Sequence, residues 1–220
     1  MIPKRLLVTH MSEHTLEPKL KFCIQRMKEL HPEWEFQFFS DGDCRHFLEC
    51  ECPEYLEVYD WYPRAVMRAD LFRLLVVSRL GGFYLDSDML LEKPLDPLTG
   101  HAAVFVVEQH LDAKVFRQRY PRRFWDIEPR KTLGNYAFGA EAGHPFLTAI
   151  LDELIVRTAN FDAEDCGDLD ILYATGPEAV TAVYHQERDR WANVEILDGP
   201  GQTMGDYGCH LIHSGWREKP

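Results

Sequence analysis

The sequence predicts a single α/β domain over residues 1–220, and three observations support this fold class. Apolar residues make up 45% of the 220 residues, which is ample for one buried core. Segments of strand character alternate with segments of helical periodicity. No internal repeat, low-complexity stretch or window of 18 apolar residues interrupts the alternation, so neither a repeat array nor a membrane span is expected.

The elements follow from local patterns along the chain. Short runs rich in β-branched, aromatic or other apolar residues predict strands at Arg5–Thr9, Trp34–Phe39, Ala102–Val107, Leu133–Ala140 and Asn193–Leu197. Apolar residues at helical spacing, with capping residues or prolines before them, predict helices at Pro18–Leu30, around Phe47 and Leu48, at Pro53–Trp61, from Pro63 to Gly81, and after Pro145 and Pro177.

The helix from Pro63 to Gly81 is apolar on nearly every side, which predicts burial. Pro63 suits a first turn, and Gly81 and Gly82 supply the left-handed residue that ends a helix. Asp70 and Arg73 nevertheless share one stripe of this helix. Burying two charges costs several kcal/mol unless they are well partnered. The pair therefore either holds the helix to the sheet or hydrogen-bonds a polar ligand.

A strand after the double glycine is predicted to carry Tyr84, Asp86 and Asp88 on one side and to deliver both carboxylates to its carboxyl end. α/β folds bind ligands at that edge of the sheet. Carboxylates are hard oxygen ligands that suit Mg²⁺ or Mn²⁺ bridging phosphates. Two further Asp-x-Asp pairs lie in polar stretches that predict turns or helix caps: Asp41/Asp43 and Asp168/Asp170.

Composition excludes several classes of protein. A net charge of −12 argues against a general nucleic-acid binder. The six cysteines do not form a disulfide framework, and the spacing of Cys44, Cys50 and Cys52 near His46 is not a usual zinc pattern, so reduced thiols are expected. The first residues have no apolar signal-peptide region. A cytoplasmic location is expected.

One segment, residues 112–131, departs from the acidic composition. It holds seven basic and three acidic side chains with aromatic residues among them. A solvated loop is one interpretation. The other is a mobile basic excursion that meets an anionic acceptor or the inner face of a membrane.

The motifs R-x-D-x-x-R (Arg68, Asp70, Arg73) and G-G-x-Y-x-D-x-D (residues 81–88) resemble the glycosyltransferases with a D-x-D sugar-binding motif. That family includes initiating α-mannosyltransferases of yeast outer chains, bacterial capsule and lipopolysaccharide transferases and, distantly, the large glucosylating toxins. Further matches cover most of the chain: Ile2-Pro3-Lys4, His31-Pro32-Glu33-Trp34, Asn135 with Gly139 and His144-Pro145, Thr175-Gly176-Pro177, and a closing His…Trp216.

The resemblance implies a GT-A fold, a nucleotide-binding α/β sandwich with a mixed, mostly parallel sheet. It also implies transfer of a hexose, with retention of configuration, from a UDP- or GDP-sugar to a glycan or glycolipid acceptor. A divalent ion, Mn²⁺ or Mg²⁺, would serve as cofactor. The open alternatives are a non-catalytic nucleotide-sugar-binding module and a metal-dependent nucleotide-sugar hydrolase, although no base that would activate water is evident.

Residue roles also come from the resemblance. It implies metal coordination by Asp88, contact of Asp86 with the ribose or the sugar, and hydrogen bonds from Asp70 and Arg73 to sugar hydroxyls. The resemblance also places Arg68, Tyr84, Asn135 and Trp216 near the donor, with Trp216 closing over it. Thr9 and His10 are candidates for contact with the nucleotide base or ribose on position alone, because they lie at the end of the first strand. The C-terminal metal ligand is His210 or His213, and counting back from Trp216 favours His210.

Overall fold

The computed structural model describes residues 1–119, 130–164 and 166–212. The strands are β1 (Arg5–Thr9), β2 (Glu35–Phe39), β3 (Gly82–Leu85), β4 (Met89–Leu91), β5 (Ala103–His110), β6 (Lys131–Ala140), β7 (Val194–Leu197) and β8 (Gly208–His210). The helices are α1 (Pro18–Leu30), α2 (Asp41–Glu51), α3 (Leu56–Trp61), α4 (Ala65–Leu80), α5 (Ala113–Arg119), α6 (Pro145–Thr158), α7 (Asp168–Ala174) and α8 (Pro177–Gln186).

Six strands form one mixed sheet in the order β2-β1-β3-β6-β5-β7. The pairs β1–β2, β1–β3 and β5–β7 are parallel, and β6 runs antiparallel to both of its neighbours. Five of the six strands therefore point the same way. The α/β class and the mixed, mostly parallel sheet are confirmed. A separate two-stranded antiparallel sheet pairs β4 with β8.

Hydrophobic cores cover both faces of the large sheet because side chains alternate along its strands. In β3, Tyr84 faces the core that contains α4, whereas Phe83 and Leu85 face the core that contains α1. Helix α4 contributes apolar residues on nearly every side, as predicted, and Gly81, with φ of 65°, caps its C-terminus. Burial of α4 places Asp70 and Arg73 inside the protein.

Helix α4 begins at Ala65, so the prediction that it starts at Pro63 is wrong. Arg64 precedes it with extended backbone angles. Helix α3 ends at Trp61, and Tyr62 adopts a non-helical conformation. Because a proline disfavours helical geometry in the residue before it, Pro63 ends α3 and does not open α4.

The predicted strand through Asp88 is also too long, because β3 ends at Leu85. The Asp86 N–H still bonds to the Tyr136 carbonyl of β6, at 2.8 Å, and the chain then turns. The Met89 N–H closes this turn on the Asp86 carbonyl at 2.9 Å. The two carboxylates are thus brought together by a turn at the sheet edge, and strand alternation does not place them.

The other two Asp-x-Asp pairs lie at helix N-termini, as predicted. The Asp43 carboxylate accepts from the Ser40 backbone N–H at 2.9 Å in a reciprocal capping box on α2. The Asp170 carboxylate accepts from the Gly167 N–H at 2.9 Å, at the start of α7. Helix α7 itself was not predicted from the sequence.

Half of the basic segment, residues 120–129, lies outside the described residues. The described part includes α5, where Phe116 is fully buried against Ala182 of α8. Lys131 at the other end pairs with Asp198. These two residues anchor the segment to the domain, and contact with an acceptor or a membrane stays a prediction. All six cysteines are described and are free thiols. Within the described ranges, no helix is both long and apolar enough to cross a bilayer.

Candidate active site

A cavity of about 490 Å³ opens at the carboxyl ends of β1 and β3. Its walls include eight of the residues that were predicted to bind metal or donor: Thr9, His10, Arg68, Arg73, Tyr84, Asp86, Asp88 and His210. They come from two strands, the loop after β1, one helix, one turn and the second sheet. The fold therefore collects distant residues at the sheet edge where α/β proteins bind ligands.

Three of these residues could share a metal ion. Asp86, Asp88 and His210 each present one ligand atom, and the three atoms lie within 4.8 Å of one another. His210 Nε2 is 3.0 Å from Asp88 Oδ1 and 3.8 Å from Asp86 Oδ2. The β4–β8 pairing creates this geometry because it sets Met89, next to Asp88, opposite His210.

The cluster fits a divalent cation that prefers oxygen ligands. In octahedral coordination at about 2.1 Å, neighbouring ligand atoms are about 3.0 Å apart and opposite ones about 4.2 Å. The observed separations of 3.0 and 3.8 Å fall in that range. Two carboxylates and one imidazole leave further positions open for other ligands, which suits Mn²⁺ or Mg²⁺.

The charge of the carboxylates shapes the behaviour of His210. Burial alone lowers its pKa, but the hydrogen bond to Asp88 and the charges of Asp86 and Asp88 outweigh burial, so the pKa is raised. Even without a cation, His210 is thus held near the two carboxylates by a hydrogen bond and by charge attraction. His213 and Trp216, which were predicted as an alternative ligand and a donor cover, lie outside the described residues.

A hydrogen-bonded chain crosses the floor of the cavity. The Tyr84 hydroxyl donates to Asp86 Oδ1 at 2.7 Å and lies 3.0 Å from Thr9 Oγ1. Arg73 Nη2 is 3.5 Å from the same Asp86 oxygen, and its guanidinium stands 5.0 Å from the Tyr84 ring centroid. Asp86 therefore uses one oxygen to meet Tyr84 and Arg73 and turns the other toward His210.

Asp70 lies behind Arg73 and does not line the cavity. Its carboxylate accepts from Asn135 Nδ2 and Thr175 Oγ1, each at 2.9 Å, and lies 3.4 Å from Arg73 Nη2. Burial raises the pKa of Asp70 to about 6 against the opposing effects of these partners. The Asp70–Arg73 pair thus joins helix α4 to the sheet through Asn135 of β6, which is the first of the two interpretations of the pair. Direct contact of Asp70 with a sugar stays a prediction.

Arg73 occupies the more accessible place of the pair. Burial lowers the pKa of Arg73, but the surrounding carboxylates and Tyr84 raise it by more than burial lowers it. The guanidinium therefore stays charged. Its Nη1 donates to the Asn135 carbonyl at 3.0 Å. On the preceding turn of α4, Arg68 Nη1 donates to the Tyr62 carbonyl at 2.6 Å while the side chain lines the cavity.

The cavity wall also contains Asp41, which the sequence assigned only to a turn or a helix cap. Asp41 opens α2 directly after β2, and its side chain lines the cavity with His10 and Tyr59. The Asp41 N–H bonds to the Met11 carbonyl at 3.3 Å, which ties the start of α2 to the loop after β1. The signal available in the sequence was the position of Asp41 shortly after the predicted strand Trp34–Phe39, because α/β folds bind ligands beyond the carboxyl ends of their strands.

Comparisons with known proteins agree with this arrangement. Residues 17–105 match a family model described as a glycosyltransferase sugar-binding region containing a DXD motif. The chain is 29% identical over 182 residues to inositol phosphoceramide mannosyltransferase 3 of Schizosaccharomyces pombe, covering 80% of this chain and 44% of that protein. It is 32% identical over 225 residues to mannosyl phosphorylinositol ceramide synthase SUR1 of Saccharomyces cerevisiae, covering 98% and 51%. The chain thus spans about half the length of these relatives, and the predicted resemblance is confirmed.

Solved structures show the same fold. The PaToxG glycosyltransferase superposes with a TM-score of 0.57 at 15% identity, covering 87% of this chain and 72% of that one. The ligand-free glycosyltransferase domain of the YGT toxin gives 0.55 at 10% identity, covering 89% and 80%. At these identities the likeness concerns the fold alone, and the predicted GT-A architecture is confirmed.

Proposed function

Because residues 17–105 carry the sugar-binding region of the DXD-motif glycosyltransferases, we propose that this chain is a metal-dependent retaining glycosyltransferase. It moves a hexose from a nucleotide sugar to a glycan or glycolipid acceptor. The observation that carries the proposal is the cluster of Asp86, Asp88 and His210 on the wall of a donor-sized cavity.

The cluster is proposed to hold Mn²⁺ or Mg²⁺, which neutralises the charge that develops on the leaving diphosphate. Asp88 and His210 would hold the ion, and Asp86 would complete the set with Oδ2, the oxygen that does not accept from Tyr84. Arg73 adds a fixed positive charge 3.5 Å from Asp86, in a buried wall where charge acts strongly. Groups that bind the departing diphosphate more tightly than the intact donor lower the barrier to transfer.

The relatives named above suggest the sugar and the acceptor. Their names describe mannosyl transfer to inositol phosphoceramide, so we propose mannose as the hexose and a phosphorylated glycolipid headgroup as the acceptor. The basic residues between positions 112 and 131 have the charge that such an anionic acceptor requires. Action at the cytoplasmic face of a membrane, with this segment against anionic lipids, is part of the proposal.

Asp41 favours a guanine nucleotide among the two donors considered. Strand β1 separates β2 from β3, so the carboxyl ends of β2, before Asp41, and of β3, before Asp86, are two strand spacings or about 10 Å apart. That separation suits the base of a nucleoside diphosphate whose phosphates lie at the cluster. A carboxylate there accepts two hydrogen bonds from the N1–H and amino edge of guanine, whereas uracil offers one N–H.

The experiment is a panel of GDP- and UDP-sugars tested with and without Mn²⁺ on the purified chain. We expect GDP-mannose to raise the thermal midpoint most, only with the metal, and to be hydrolysed slowly. Mannose release should rise sharply when vesicles that contain an inositol-phosphate glycolipid are added. Donor binding without any turnover would favour the binding-module alternative, and fast hydrolysis that no acceptor accelerates would favour the hydrolase.

A matched pair of variants tests the metal site in the same assay. Asp88→Asn removes a charged ligand, and Asp43→Asn makes the same change in the capping box of α2, away from the cavity. We expect Asp88→Asn to abolish metal-dependent donor binding and turnover, and Asp43→Asn to retain both. Metal-dependent turnover that survives Asp88→Asn would refute the proposed function.

A further inference from the structure

We propose that Gln202 is a positioning residue that holds His210 in the orientation and ring tautomer needed to present Nε2 to a divalent cation. This inference deepens the proposed function, since it rests on the metal site described above. It concerns a residue that no motif in the sequence marks. Three observations carry it: the backbone of Gln202, its side-chain contact, and the ring that stacks on His210.

The backbone of Gln202 adopts a conformation that L-residues rarely take. Its φ is +64°, and among described residues other than glycine only Ile212 shares a positive φ. Such a conformation costs of order 1 kcal/mol or more and persists only where the surroundings impose it. Here two backbone hydrogen bonds impose it: Gln202 N–H to the Glu108 carbonyl at 3.2 Å, and His210 N–H to the Gln202 carbonyl at 2.8 Å.

The same conformation brings the side-chain amide to the imidazole. Gln202 Oε1 lies 3.1 Å from His210 Nδ1 and can accept only if Nδ1 carries the proton. With Nδ1 keeping its proton, Nε2, which faces Asp88 and Asp86, is the nitrogen left to bind a cation. Metal-binding histidines commonly donate their other N–H to such an outer acceptor, which fixes tautomer and orientation.

A stacked ring removes the remaining freedom of the imidazole. The Tyr136 and His210 rings are 4.5 Å apart between centroids and only 4° from parallel. The Tyr136 hydroxyl donates to the carbonyl of Thr203, the residue after Gln202, at 3.1 Å. The Tyr136 carbonyl also accepts from the Asp86 N–H at 2.8 Å. One residue of β6 thus connects the support of His210 to the turn that carries the carboxylates.

The test measures Mn²⁺ affinity of the full chain, without donor, for two variants of Gln202. Gln202→Gly removes the amide and relieves the positive φ, so the metal-free protein should unfold at the same temperature as the parent or a higher one. We expect its Mn²⁺ affinity to fall about 10-fold or more, the usual effect of losing an outer-shell partner. Gln202→Glu keeps an acceptor for Nδ1–H and should retain the parent affinity.

The outcomes separate this inference from the proposed function. If the parent chain binds no Mn²⁺, the proposed metal dependence fails. If the parent binds and Gln202→Gly binds equally well, the metal site stands and the positioning role is refuted. Equal loss of affinity in Gln202→Gly and Gln202→Glu would also refute it, because an acceptor at this place would then not matter. Loss in Gln202→Gly with retention in Gln202→Glu supports it.

Discussion

His31 and His210 are two histidines with little exposed surface, each beside an aromatic ring, and the protein uses them in opposite ways. The His31 Nδ1 bonds to the Met27 carbonyl at 2.8 Å, and its Nε2 accepts from the Leu95 N–H at 2.8 Å. Both ring nitrogens are thus used by the backbone. Burial lowers the pKa of His31, which keeps the ring neutral. His31 joins the end of α1 to the turn at Leu95.

In His210, only one ring nitrogen contacts a supporting group, and the other, Nε2, faces carboxylates. Its Nδ1 meets the side chain of Gln202, and its Nε2 faces Asp86 and Asp88, which raise its pKa despite burial. The difference between the two histidines lies in what their second nitrogen contacts. A ring whose two nitrogens both meet the backbone can only support structure, whereas a ring with one nitrogen among carboxylates can bind a cation. Three measurements test this contrast.

The largest expected effect is on stability, from His31→Ala. Truncation leaves the Met27 carbonyl and the Leu95 N–H without their partner, and each orphaned buried group costs about 1–3 kcal/mol. We expect the free energy of unfolding in urea to fall by about 3 kcal/mol. Mn²⁺ affinity of the folded protein should not change. A loss of Mn²⁺ affinity at unchanged stability would contradict the structural role.

The reverse pattern is expected for His210→Ala. Removing a direct ligand should lower Mn²⁺ affinity by more than about 100-fold, since outer-shell changes alone cost 10–100-fold. That loss corresponds to about 2.7 kcal/mol of binding free energy. The unfolding free energy of the metal-free protein should fall less than in His31→Ala. Mn²⁺ binding at the parent affinity would show that His210 is not a ligand.

The smallest expected effect is a pH dependence of stability. The folded pKa of His31 lies below the value of about 6.5 of an unfolded histidine, so the unfolded chain binds a proton first as the pH falls. Stability from this group is therefore complete above about pH 6.5 and is lost toward the lower folded pKa, by at most about 1.4 kcal/mol per pH unit. The free energy of unfolding, measured in urea at several pH values between 7 and 5, should fall less steeply with decreasing pH in His31→Ala than in the parent. An equal pH dependence of the unfolding free energy in parent and variant would contradict this role of His31.

Much of the fold could be predicted because local patterns specify it. The bounds of β1 and α1 match the prediction, since a short apolar run and a helical spacing of Leu20, Ile24 and Met27 leave little choice. Helix α4 was predicted to be buried, but its start was placed at Pro63 because proline suits a first turn. The same proline also ends a preceding helix, and the choice depended on α3 lying just before it.

The residues of the site also fall into two groups, those that local sequence patterns could predict and those that they could not. Asp86 and Asp88 could be predicted from their place after a helix, two glycines and a strand. Thr175, Tyr136 and Gln202 could not, because their contacts join distant parts of the chain. Thr175 bonds to Asp70 across 105 residues, and Tyr136 reaches Thr203 across 67. Such pairs depend on how the sheets assemble, which local spacing does not encode.

The small sheet of β4 and β8 has a consequence for how the protein matures. More than half the chain separates Asp88 from His210, and Gly208 fits against Leu90 only because it has no side chain, a Cβ there lying 2.4 Å from the Leu90 carbonyl oxygen. During synthesis both carboxylates emerge long before His210. The cluster of Asp86, Asp88 and His210 is therefore incomplete until β8 pairs with β4. Because β8 follows all six strands of the large sheet along the chain, the cluster is one of the last features of the described fold that can form during synthesis.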